Sequence, residues 1–361
     1  MKRGERLHDL FYDAALCAAA HPFGQKVFAA AVPFLRRVFP QEKSTRSSEE
    51  VFAELGYAPE VFHTIIDSPV RVYEHDLKGL LSFSAHHSIS MLSDFFSDEM
   101  PASAIMSSSR SANADQETNY ILLSNIKTDR AAYLHDMSDM SGLPGRIIER
   151  LEGCPRLAKA MTLGHEISHF DMDPTEASKP AQYVEIESFC DAMPFIAFQK
   201  VSDPAVFDRT VREIILARAV SPIVEAVEIT KKGIELPYPD SIYGHATALL
   251  LDDRTLLSQE NPGAAVVDAY KTANLRLMGV LDTDARMPSA FVCYCAAKDV
   301  LDDQDIPHDP ARRAIELYVE AIEYFSPNFA AKALKQHISR SPKTAPHVVQ
   351  SAGNGDVSLE I

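Results

Sequence analysis

The chain has 361 residues, of which 46% are hydrophobic and 24% charged, so it is long enough for one large or two ordinary domains. Its 51 acidic and 35 basic residues give a formal net charge of −16. This acidic excess argues against a nucleic-acid partner, because neutralising phosphates requires clustered lysine and arginine side chains.

Residues 1–40 are predicted to form an amphipathic helical region. Acidic residues at positions 5, 9 and 13 interrupt the apolar stretch that a secretory signal would need. The chain contains no run of about 18 to 20 apolar residues, so no transmembrane segment is expected. Apolar stripes at helical spacing are typical of core or partner contacts, and peripheral membrane contact is the alternative. The stripes are Leu7, Leu10, Phe11 and Ala14, then Val27, Ala31, Phe34, Leu35 and Val38.

Residues 41–150 are predicted to be a mixed α/β region with a small sheet. The polar run 41–50 is interpreted as a connector, within which Ser47 and Glu50 form a capping box for a short helix that Gly56 ends. Strand candidates are 70–73 and 120–123. The run 119–125 fits an edge strand that would hold an extended peptide, although a buried core strand fits the same residues equally well.

The most informative motif is His165-Glu166-Ile167-Ser168-His169, a His-Glu-x-x-His sequence in a predicted helix. Residues four apart lie on one helix face, so His165 and His169 can direct imidazole nitrogens at one metal ion. Glu166 is offset by one position and can accept a proton from a water at the metal. The motif therefore predicts a zinc hydrolase site with Glu166 as general base.

A catalytic zinc typically has three protein ligands and an open position, so a third ligand is required. The metzincin pattern is excluded because Met172 and Thr175 occupy the places of its glycine and histidine. A following predicted helix contains Glu187 and Asp191, again four apart. Glu187 is the predicted third ligand. Asp191 is the predicted partner of a ligating histidine, whose ring it would orient. Glu185 is the rival ligand, but it has Phe189 four residues later instead of an acidic residue.

His165, Glu166, His169, Glu187 and Asp191 together resemble the gluzincin branch of zinc metallopeptidases, in which His-Glu-x-x-His pairs with a downstream Glu-x-x-x-Asp. The resemblance covers about residues 160 to 199. It implies a mostly helical zincin-like α+β fold, a Zn²⁺ cofactor and a peptide or protein substrate.

A site of this type also needs a group that stabilises the oxyanion. Tyr243 and His245 are the candidates, because they lie where a proline-rich loop meets the predicted helix 246–251. The resemblance favours His245, and an ordinary helix-start residue without a catalytic role is an equal alternative.

Residues 151–340 are predicted to contain the two site helices and a helical subdomain, and residues 341–361 a disordered tail. Five cysteines, an odd number with no Cys-x-x-Cys pair, argue against a disulfide framework and indicate a cytoplasmic protein. The alternative is a secreted protein that acts as an effector in another cell.

The sequence as a whole predicts a zinc metallopeptidase. The alternative from another class is a non-catalytic helical protein that binds a partner and whose metal site is structural or absent.

Overall fold

The computed structural model of the chain describes residues 22–58, 60–61, 65, 70–74, 77–86, 105–107, 119–123, 128–143, 145–171, 180–233, 260, 262–281, 290–328 and 330–331. In these ranges the protein is mostly helical and has one small sheet, which confirms the α+β class. The predicted apolar stripe at 7–14, the predicted helix 246–251 and the tail 341–361 lie outside the described residues. None of the described helices is both long enough and apolar enough to cross a membrane.

The first elements are helix α1 (Pro22–Val38), helix α2 (Gln41–Ser44), strand β1 (Thr45–Ser47) and helix α3 (Ser48–Glu54). The capping box is confirmed, since Ser47 accepts from the Glu50 amide and Glu50 accepts from the Ser47 amide. Gly56 follows α3 with φ +90°, a conformation that side chains with a Cβ rarely adopt. The interpretation of 41–50 as a connector was wrong. Its middle residues form β1, and polar residues are tolerated there because β1 ends the sheet.

The sheet contains four strands in the order β1-β2-β4-β3, with β2 at Val70–Glu74, β3 at Ile105–Ser107 and β4 at Asn119–Leu123. Strand β2 pairs antiparallel with β1 and parallel with β4, while β3 pairs antiparallel with β4. The strands predicted at 70–73 and 120–123 are confirmed. The assignment of β4 as an edge strand was wrong, because both of its sides are paired. Ile121 is fully buried, as the alternative of a core strand requires.

Helix α4 (Leu77–His86) follows β2 and packs on both β2 and α1. The remaining helices form the larger part of the described fold. They are α5 (Arg130–Ser141), α6 (Gly145–Ile148), α7 (Pro155–Ser168), α8 (Pro180–Gln199), α9 (Pro204–Lys231), α10 (Pro262–Val280), α11 (Ala290–Asp302) and α12 (Pro310–Phe325). Helix α9 continues without a break through Pro222. Helix α9 contacts α5, α7, α8, α10 and α12, and this packing keeps it continuous.

A buried carboxylate on α9 fixes the start of α7. Glu213 is fully buried and accepts hydrogen bonds from the backbone amides of Glu152 and Gly153, at 2.9 and 2.8 Å. It also accepts from the hydroxyls of Tyr133 at 2.6 Å and Tyr324 at 3.0 Å. Because the donors come from the loop before α7, from α5 and from α12, Glu213 links these elements to α9 at one point.

The two site helices approach each other closely at Gly164 on α7. A Cβ placed there would lie 2.8 Å from Cβ of Pro194 on α8 and 3.2 Å from Cδ1 of Ile65. Pro194 is buried inside α8, so the obstructing atom belongs to a rigid ring and not to a flexible side chain. The missing side chain of Gly164 therefore permits the spacing of α7 and α8.

Gly164→Ala is expected to reduce the free energy of unfolding by about 1 to 3 kcal/mol, because the added methyl group must push Pro194 away. Chemical denaturation measures this change. The matched control is Gly279→Ala on α10, where an added Cβ meets no atom within 4 Å. The control is expected to be neutral or to stabilise by up to about 1 kcal/mol. Equal effects of the two substitutions would contradict the close approach at Gly164.

Candidate metal centre

Helix α7 places the two motif histidines on one face. The helix ends at Ser168, and His169 begins a short 3₁₀ turn, His169–Asp171. His169 still has helical backbone angles, φ −61° and ψ −25°, so the change of helix type keeps the four-residue spacing. The Nε2 atoms of His165 and His169 are 3.1 Å apart.

Helix α8 brings a carboxylate to the same place. Oε2 of Glu187 lies 3.2 Å from Nε2 of His165, and Oε1 lies 3.5 Å from Nε2 of His169. The three side chains are 12 to 15% exposed, so they line a sheltered position that solvent still reaches. Within the part of the chain that the structure describes, these three residues are the group of metal-ligand side chains that converge on one point.

The other carboxylate of α8 orients a histidine. Oδ1 of Asp191 lies 2.7 Å from Nδ1 of His165, and Asp191 is 3% exposed. With the Nδ1 proton donated to Asp191, the Nε2 lone pair of His165 points to the convergence point. This is the tautomer that a metal ligand requires.

A residue that the sequence reasoning missed completes this chain of contacts. Arg218 on α9 forms an ion pair with Oδ2 of Asp191, so the two carboxylate oxygens have separate partners. The pKa of Arg218 is lowered to about 10 by burial, while the charges of Glu187 and Glu166 oppose this change. Local sequence offers little signal for Arg218, because 27 residues of chain separate it from Asp191. The one sequence feature that points to Arg218 is that a single arginine stands among apolar residues on one face of a predicted helix.

Glu166 has the electrostatics of a proton acceptor near neutrality. Burial raises its pKa to about 7, with Glu187 adding to the rise and His165 and Arg218 opposing it. Burial likewise lowers the pKa of His169 to about 4, which keeps its imidazole neutral. For Glu187, burial acts to raise the pKa, but its contacts with the two histidines and the charge of Arg218 leave it lowered.

His165, His169 and Glu187 are close enough together to hold one metal ion, since one ligand atom from each lies within 4.8 Å of the other two. Zinc bonds of about 2.0 to 2.1 Å at tetrahedral angles separate the ligand atoms by about 3.3 to 3.4 Å. The two Nε2 atoms are 3.1 Å apart, Oε2 of Glu187 lies 3.2 Å from His165 and Oε1 lies 3.5 Å from His169, so each of these separations is close to that value. The formal charge of the site is also consistent with a bound divalent cation. Three carboxylates (Glu166, Glu187 and Asp191) against one guanidinium (Arg218) leave a formal charge of −2, which one divalent cation would neutralise.

Of the other candidate residues from the sequence, the structure describes Glu185 but not Tyr243 or His245. Met172 and Thr175 also lie outside the described residues. Glu185, the rival third ligand, is exposed on α8, and the structure brings Glu187 to the histidines instead. Among the described residues, no disulfide is formed by Cys154, Cys190, Cys293 or Cys295.

Comparison with known proteins yields no relative: no family profile, curated protein or solved structure matches the chain. The similarity to gluzincins therefore depends on the residues of the site alone.

Asp191→Asn is expected to weaken zinc binding by about 10- to 100-fold, because the amide no longer accepts a charge-assisted hydrogen bond from His165 and leaves Arg218 without its anion. Competition with a chelator measures the zinc dissociation constant. Asp208→Asn, at an exposed position of α9, is the matched control and should leave the constant unchanged. An unaltered constant in Asp191→Asn would exclude an orienting role for Asp191.

Proposed function

We propose that this protein is a zinc-dependent peptidase with a gluzincin-type site on a zincin-like fold. The observation that carries the proposal is the convergence of His165, His169 and Glu187, whose nearest nitrogen and oxygen atoms are 3.1 to 3.5 Å apart, close to the ligand separations of a tetrahedral zinc site. The orientation of His165 by Asp191 supports it, since ligating histidines typically donate their second ring N–H to a carboxylate.

In this proposal His165 Nε2, His169 Nε2 and the Glu187 carboxylate hold the metal. Zinc, when bound, polarises a carbonyl group and lowers the pKa of water to about 7. Asp191 and Arg218 keep the His165 ring in place through the reaction. The limited exposure of the three ligands restricts the entry of bulk water.

Glu166 moves the proton. Its carboxylate takes a proton from the attacking water as the water oxygen bonds to the amide carbon, and it returns that proton to the amine nitrogen as the carbon–nitrogen bond breaks. The buried setting that raises the pKa of Glu166 to about 7 suits a group that must both accept and release a proton. Tyr243 and His245 are proposed as the groups that stabilise the oxyanion.

The alternative is a non-catalytic protein in which the same side chains form a metal-free network. Since His165 donates Nδ1–H to Asp191, its Nε2 accepts, and Nε2–H of His169 could donate to it across the observed 3.1 Å. A structural zinc site is a further form of this alternative, and it would have a fourth protein ligand. The converging group contains three ligands within the described residues, which favours an open site.

Metal content decides between a metal site and a metal-free network. Elemental analysis of the purified chain is expected to give about one zinc per chain, and His165→Ala, His169→Ala and Glu187→Ala are each expected to lose it. His308→Ala, at an exposed position remote in sequence from the motif, is the matched control and should retain zinc. A wild-type chain without zinc, which also takes up none when zinc is added, would refute the proposal.

Glu166→Gln tests catalysis separately from binding. The variant should retain zinc and cleave a peptide library at least about 100-fold more slowly, because glutamine cannot accept the proton. Glu185→Gln, on the exposed face of α8, is the matched control and should cleave at the wild-type rate. Cleavage by Glu166→Gln at the wild-type rate would contradict the role of Glu166. Zinc retained with no cleavage by the wild type would favour the structural site.

A further inference from the structure

Helix α1 presents an apolar stripe to solvent. Phe34 is 65% exposed, Val27 54% and Val38 48%. Their spacings of seven and four residues place the three side chains on one face of the helix. Side chains of this size are normally covered, and a contiguous exposed row of them marks an interaction surface.

The opposite face of α1 is attached to the body of the protein. Helix α1 packs against α4, and the side chain of Arg36 donates to the carbonyl of Ala85 at 2.6 Å. Just beyond α1, the carbonyl of Phe39 accepts from Ser82 at 3.1 Å. The stripe therefore points outward on a helix whose inner face is held by α4.

The charge of this region is opposite to that of the rest of the protein. Residues 1–40 contain six basic and three acidic residues, a net charge of +3, so the remaining 321 residues carry −19. Helix α1 itself contains Lys26, Arg36 and Arg37 and no acidic residue. Lys26 and Arg37 are eleven residues apart and therefore share a face, about a quarter turn from the stripe.

We propose that α1 docks on a membrane surface that contains anionic lipids. Val27, Phe34 and Val38 enter the boundary between headgroups and acyl chains, while Lys26 and Arg37 contact lipid phosphates. Basic residues beside an apolar stripe on a helix too short and too polar to span are the pattern of an interfacial helix. The local positive charge favours anionic lipid over a second copy docked through the same face, because that contact would bring the basic residues of two α1 helices together. The proposal does not depend on the metal centre.

Sedimentation with vesicles tests the proposal on the full chain. Phosphatidylcholine vesicles with about 30% phosphatidylglycerol should bind the protein, and vesicles of phosphatidylcholine alone should bind it at least about tenfold more weakly. Phe34→Asp should lower binding to the anionic vesicles by about tenfold or more. Lys26→Glu with Arg37→Glu should lower it to the level of the neutral vesicles.

The matched control is Leu275→Asp on α10, where the native leucine is 64% exposed. It should bind anionic vesicles as the wild type does. All substituted side chains are on the surface, so circular dichroism spectra should be unchanged.

Fluorescence gives a second measurement, because the chain contains no tryptophan. Emission of Phe34→Trp should shift to shorter wavelength when anionic vesicles are added, and emission of Leu275→Trp should not. Absence of wild-type binding to anionic vesicles would overturn the proposal, as would equal losses in Phe34→Asp and Leu275→Asp. A protein that is dimeric without vesicles and becomes monomeric through Phe34→Asp would instead identify the stripe as an interface between copies, which also overturns it.

Discussion

The candidate site depends on one close contact, the crossing of α7 and α8 at Gly164. Two histidines on one helix face make half of a metal site, and the carboxylate must come from another helix. The crossing brings Glu187 within 3.5 Å of both histidine Nε2 atoms because nothing larger than hydrogen separates the Gly164 backbone from Pro194. A site built between two rigid helices is held more precisely than one built on loops.

Helix α9 holds α7 and α8 in this arrangement through polar contacts. Glu213, in its first half, accepts hydrogen bonds from the two amides that precede α7, and Arg218, about one and a half turns later, forms the ion pair with Asp191 of α8. One helix thus holds both helices of the site through buried polar contacts, which are directional and fix position more narrowly than apolar packing does. Because Arg218 pairs with Asp191 and Asp191 pairs with His165, α9 also fixes the ring of His165, whose Nε2 atom faces the cluster.

Burial shifts the pKa values of the site residues, and it also makes their negative charges unfavourable. Three carboxylates and one guanidinium lie together with restricted access to water, an arrangement that is unfavourable unless a cation or protons balance it. The pKa of Glu166 near 7 is one response to that environment, and the lowered pKa of His169 is another. The same environment that disfavours excess negative charge would favour a divalent cation at the convergence point. The apolar stripe of α1 and the basic residues beside it are a separate feature. They are exposed and positively charged, whereas the metal site is sheltered and acidic.

Much of this protein could be predicted from local sequence, because local rules govern those parts. The four-residue spacing of His165 and His169 needs only helical geometry, the capping box at Ser47 needs only its own turn, and the strands β2 and β4 follow from short apolar runs. The order of the strands could not be predicted, since pairing joins residues far apart in the chain, and β4 proved to be central and not an edge. Arg218 was missed for the same reason. Sequence alone determined which residue types could bind a metal and at what spacing on each helix; only the tertiary structure decided that Glu187, and not Glu185, faces the histidines, because that depends on how α8 is rotated against α7.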